Sequence, residues 1–202
     1  MVFPRLTFCL CYVIFFQKGS DTVKNRQRIR SITLTALGTV LLAICSWISI
    51  FGVTLQTFAV FFMIYLFGAR RATVTIAVYL AMGALGLPVF SGFGGGIGWL
   101  LGPTGGFLLC FVLVGVLHIL AEVIFKTSVK RWFILLPLSA VSLLCCYLCG
   151  ACSMYFYYLK TGSSNSFFGV FISLIALYTL FDAAKIIFAY YLAKYFKRIM
   201  PI

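Results

Sequence analysis

Asp182 and Lys185 stand three positions apart inside an otherwise apolar run over 178–196. That spacing puts both on one face of a helix. A charge within a membrane-spanning helix costs about 2.5–3.5 kcal/mol on insertion scales, so such residues tend to serve a ligand or to pair with each other. An Asp can accept from an N–H donor and a Lys can meet an anion. The plainer alternative is a self-neutralising pair, but two charges are cheaper to omit than to pair inside a membrane, which favours ligand contact. Gln56 adds an amide that both donates and accepts.

Catalytic chemistry finds little material. His118 is the only histidine, and Glu122 lies one turn after it and one turn before Lys126, an ordinary helical network. A nucleophile with a base, or a metal set, does not assemble. Of the eight cysteines, Cys145, Cys146, Cys149 and Cys152 cluster in an apolar helical stretch with no histidine nearby. They read as small hydrophobes that pack helices, not as metal ligands. No catalytic residue, metal or cofactor is expected.

Residues 86–106 read GLPVFSGFGGGIGWLLGPTGG and hold nine of the chain's 18 glycines, which marks them as a special backbone. The spacing fits neither the dinucleotide fingerprint nor the P-loop. Glycine at this density lets backbone approach a ligand closely. Gly94, Gly95 and Gly96, with Ser91 beside them, are therefore expected at a binding site. Tyr79, Phe90, Phe93 and Trp99 are expected to form its apolar walls. Irregular backbone at membrane depth is tolerated mainly where it lines a protein cavity.

The elements that position these residues are membrane helices. With 63% hydrophobic and 9% charged residues, the chain has too few polar side chains to cover a water-facing surface. Backbone groups in a bilayer must be satisfied within each segment, so each span is a helix. Apolar runs predict six spans at 31–50, 53–68, 72–87, 104–125, 132–159 and 178–196. The last 33 residues of apolar chain, 164–196, would reach about 50 Å as one helix, beyond a hydrocarbon core of about 30 Å. They are split, with 166–177 near the outer surface. The fold class is all-α, a six-helix membrane domain over 31–202 with a Gly-rich outer loop between helices 3 and 4. Residues 1–30 form an N-terminal extension with a short apolar segment, 6–16, and a basic run.

Sixteen Lys and Arg face three acids. The cations occupy the breaks between spans: Lys18, Lys24, Arg26, Arg28 and Arg30; Arg70 and Arg71; Lys126, Lys130 and Arg131; Lys194, Lys197 and Arg198. Lys160 lies on the other side. This positive-inside pattern puts both termini in the cytoplasm. It excludes nucleic acid as a partner, because lipid-embedded helices offer no continuous basic face.

The run ALGLPVF, followed by the glycines and LGPTGG, resembles the signature of the BioY family, the biotin-specific S subunits of energy-coupling-factor transporters. VTLQT at 53–57 resembles the family's stretch after the first helix, and the pair Asp182 and Lys185 resembles the start of its last helix. The likeness covers about 30–198. Leu180 and Phe181 stand where the family carries Pro-Gly, and a fifth-helix tryptophan pattern is missing after Tyr147 and Gly150, at Ser153. The resemblance implies a bacterial inner-membrane subunit that binds biotin from outside. Transport energy would come from a transmembrane coupling subunit and paired ATP-binding subunits; the chain has no Walker motif of its own. On this reading Asp182 accepts from a ureido N–H, Gln56 meets the ureido group and Lys185 meets the carboxylate. The small residues Thr35, Thr39 and Ala43 suggest a face for the coupling subunit, or internal packing. The alternatives are a subunit for another vitamin, a solitary biotin transporter, and an intramembrane enzyme.

Overall fold

A computed structural model describes residues 3–50, 53–125, 132–162 and 166–199 of the chain. Lys126, Lys130 and Arg131, which contribute to the orientation argument, lie outside the described residues. The chain divides into two compact units, Met1–Leu37 and Gly38–Ile202. The long helices are α1 (Phe3–Trp47), α2 (Gln56–Phe67), α3 (Ala69–Ala84), α5 (Gly105–Phe125), α6 (Trp132–Lys160) and α7 (Phe167–Ile199), with a short α4 (Ile97–Leu100). Helix α1 starts at Phe3. A small antiparallel ribbon, β1 (Ser49–Ile50) and β2 (Val53–Thr54), joins α1 to α2 and is the one departure from all-α among the described residues.

Among the described residues, three helices are long and apolar enough to cross a membrane: Asn25–Trp47, Gly105–Phe125 and Phe133–Lys160. Helix α7 bends by 46° between Phe167–Ala176 and Tyr178–Ile199, and the two pieces qualify together. The bend falls where chain length against bilayer thickness called for a break. No proline or glycine stands at it.

Burial follows the logic of a lipid solvent. Helix α2 is apolar all round, and Phe58 through Leu66 are all buried, so this short helix is the core. It packs on α7 and α3, while α5 packs on α6 and α3. The outer helices turn apolar side chains outward, among them Leu113 and Leu120 on α5, Leu144 on α6 and Phe188 on α7. In water such a surface would aggregate; in a bilayer it is the solvated face. Glycine lets α5 and α6 meet. A Cβ at Gly106 would strike the Cys149 carbonyl, and one at Gly150 would strike the Phe107 ring.

Glu122 reaches the start of α3. Its Oε1 accepts a hydrogen bond of 3.1 Å from the backbone N–H of Ala69, the first residue of α3. The first N–H groups of a helix lack internal partners, and a carboxylate there also meets the positive end of the dipole. His118 is a core residue, with Nδ1 2.8 Å from the Val114 carbonyl and its ring edge-on to Phe61 at 5.9 Å.

Glu122→Ala is expected to lower the ligand-free thermal midpoint in detergent by a few degrees, from a capping loss of about 1 kcal/mol. Glu122→Gln, which keeps an acceptor oxygen, should recover most of that. Equal midpoints for parent and Glu122→Ala would show that the cap contributes nothing.

Candidate functional site

Helix α7 presents Asp182 and Lys185 on one face, and neither is left to satisfy itself alone. Lys185 Nζ donates to Asp182 Oδ1 at 2.9 Å and to the backbone carbonyl of Thr54, beside the ribbon, at 2.7 Å. From α6, the Tyr147 hydroxyl donates to the other carboxylate oxygen, Oδ2, at 2.9 Å. Asp182 is buried, at 5% exposure. A buried ion pair is tolerable only when such further hydrogen bonds complete it. An ammonium has three protons and a carboxylate about four acceptor sites, so this arrangement leaves one donor and spare lone pairs.

Those spare groups border a cavity of about 330 Å³. Asp182, Lys185, Gln56 and Tyr147 supply polar groups, and Phe90, Trp99, Phe107, Phe111 and Leu174 supply much of the apolar wall. A mostly apolar pocket of this size with a few convergent polar groups suits a small amphipathic molecule. The two charges are 2.9 Å apart and form one polar patch on the cavity wall.

Of the residues singled out by sequence, Asp182, Lys185, Gln56, Phe90, Ser91 and Trp99 line the cavity together. Tyr79 does not. It is fully buried behind the wall, receives a hydrogen bond from Gln56 Nε2 at 3.1 Å, donates to the Val89 carbonyl at 2.9 Å and meets Phe90 edge-on at 5.6 Å. It positions Gln56 and Phe90. Phe93 is 64% exposed and lies against Trp47, ring centroids 4.8 Å apart. Its φ of 58° makes it the one described non-glycine residue in the left-handed region.

Gly94, Gly95 and Gly96 also stand outside the wall. A Cβ at Gly94 would enter the Trp99 indole, and one at Gly95 would strike the Leu87 carbonyl. Gly96, at φ 93°, donates its N–H to the Gly83 carbonyl at 2.7 Å. The glycines are needed because the loop folds onto itself and seats Trp99. The loop is tied to the end of α1 by Ser46 Oγ, which donates to the Val89 carbonyl, and by Trp47 Nε1, which donates to the Pro88 carbonyl at 3.0 Å.

Sequence reasoning missed Tyr147 and Thr54. A buried carboxylate needs donors, so a phenol in an apolar helix was a readable signal for Tyr147. Thr54 acts through its backbone carbonyl, which leaves no trace in residue type.

The sequence profile of the BioY family matches residues 19–202. The chain belongs to the BioY family. Among BioY relatives, the biotin transporter BioY of Thermotoga maritima is 39% identical over 111 residues, covering 52% of this chain and 64% of that protein. The biotin transporter BioY2 of Lactococcus lactis subsp. cremoris is 43% identical over 97 residues, 46% of this chain and 53% of the relative. The probable biotin transporter BioY of Pyrococcus horikoshii is 37% identical over 89 residues, 42% and 55%. The chain thus aligns with between about half and two thirds of these relatives' length. Its fold resembles that of the S-component for biotin from an ECF-type ABC transporter, known from a crystal structure, with a TM-score of 0.72 at 21% identity, covering 86% of this chain and 94% of that one.

The loop packing of this BioY member separates two glycines. Gly95→Ala should lower the ligand-free thermal midpoint, because overpacking costs about 1–3 kcal/mol. Gly98→Ala, where a Cβ meets open space, should leave it unchanged. Equal midpoints for both variants would contradict the folded-loop account.

Proposed function

We propose that this chain is the membrane subunit that captures biotin for uptake. The observation that carries the proposal is the Asp182–Lys185 pair, fixed by Tyr147 and the Thr54 carbonyl at the polar part of an apolar cavity of about 330 Å³. Biotin matches that chemistry at one end. Its cyclic ureido group presents an N–H donor and a C=O acceptor side by side. Asp182 accepts from the N–H, the free Lys185 proton goes to the carbonyl oxygen, and Gln56 meets the same group. The thioether ring and tail lie against Phe90, Trp99, Phe107 and Phe111.

The family and the fold support a part in an energy-coupling-factor assembly, with a transmembrane coupling subunit and two ATP-binding subunits as partners. The chain crosses the bacterial inner membrane six times, α2 and α3 included, with both termini cytoplasmic and residues 86–106 facing out. Residues 1–30 are an extension to the six-helix domain. The reaction is binding and release, with no covalent step. The intramembrane-enzyme alternative loses its base, because Glu122 caps α3 and His118 is packed in the core.

Calorimetry of the purified protein tests this. The parent should bind biotin one to one. Asp182→Asn should bind about ten- to a hundredfold more weakly, since a charge-assisted hydrogen bond contributes about 1.5–3 kcal/mol. Lys185→Ala should weaken biotin and its methyl ester by the same factor, because Lys185 addresses the ureido group. A larger loss for biotin than for the ester would place Lys185 at the carboxylate instead. No binding by the folded parent would overturn the proposal.

A further inference from the structure

Tyr147 stands where two cavities meet. Besides the ligand cavity, an apolar groove of about 370 Å³ lies between α6 and α7, and Tyr147 and Leu143 line both. The rest of the groove is almost wholly aliphatic, with Leu144, Ile175 and Ile187 among its lining residues. Leu144 and Ile187 are also 48% and 49% exposed, so in a membrane the groove opens on hydrocarbon. The occupant that environment supplies is a lipid acyl chain.

The phenol does two things that neither an apolar ring nor a polar side chain does alone. Its ring, 4% exposed, fills the boundary between groove and cavity, and its hydroxyl donates to Asp182 Oδ2 at 2.9 Å. On the groove side, Thr179 lines the groove together with Tyr147. Thr179 and Asp182 are three residues apart on α7 and share a face. Swinging Tyr147 out would leave a buried carboxylate oxygen without its donor, so the bond that orients Asp182 also holds the boundary shut.

We propose that Tyr147 is a positioning residue that sets the Asp182 carboxylate for the ligand and at the same time seals the ligand cavity against lipid acyl chains in the α6–α7 groove. This rests on the biotin-binding reading above. Without the ring the two spaces become continuous, and an alkyl chain in the groove can reach the ligand's apolar wall. Without the hydroxyl alone, the wall stays and only the carboxylate loses its anchor.

The test measures biotin affinity of the purified protein against increasing decanoate, for the parent, Tyr147→Phe and Tyr147→Ala. The parent should be insensitive to decanoate. Tyr147→Phe should bind biotin about tenfold more weakly and stay insensitive. Tyr147→Ala should bind weakly and lose further affinity as decanoate rises. Tyr147→Leu, which refills part of the volume, should restore insensitivity and serves if the alanine variant does not fold. Parent-like affinity in Tyr147→Phe would overturn the positioning role. Competition by decanoate in the parent, or none in a folded Tyr147→Ala, would overturn the seal. A parent that binds no biotin would instead contradict the biotin reading itself.

Discussion

A carboxylate and an ammonium largely buried in an apolar helix bundle have little access to water, and the bundle has to supply most of their hydrogen-bond partners. In this chain the partners come from three places. Lys185 reaches the Thr54 carbonyl beside the ribbon, Tyr147 reaches Asp182 from α6, and the pair itself sits on α7. Satisfying one pair of charges therefore pins α6, α7 and the α1–α2 connection at a common point. That point is also the polar part of the cavity, so the cost of burying charge and the shape of the candidate site are one constraint.

The remaining architecture builds and fastens the cavity wall. Helix α2 is buried on all sides and carries Gln56 at its first turn, where Tyr79 holds it. The glycine-rich loop covers the cavity with Phe90 and Trp99, and its tightness comes from backbone lying against backbone, as at Gly95 and Leu87. The clamps from Ser46 and Trp47 join that loop to the end of α1. A loop so fastened behaves as part of the wall.

Much of this was legible in the chain because membrane burial makes polar residues expensive and therefore informative. Asp182 and Lys185 stood out on that ground alone, and hydropathy located the helices. The glycines marked a special backbone. Composition says that backbone comes close to something, and only the fold says that the something is Leu87 and Trp99. Glu122 also has a backbone partner on another helix, which helical spacing alone does not reveal. Thr54 was out of reach for any reading of side chains, because its contribution is a main-chain oxygen. Tyr147 was within reach had the donors of a buried carboxylate been counted.

The most direct measurement is a structure of the purified protein with biotin bound. The account predicts the ureido ring between Asp182 and Gln56, a ring N–H within hydrogen-bonding distance of Asp182, the ureido oxygen near Lys185, and Tyr147 still on Asp182 Oδ2. The tail should run along Phe107 and Phe111. Biotin found with its carboxylate on Lys185, or outside this cavity with the Asp182–Lys185 pair unchanged, would contradict it.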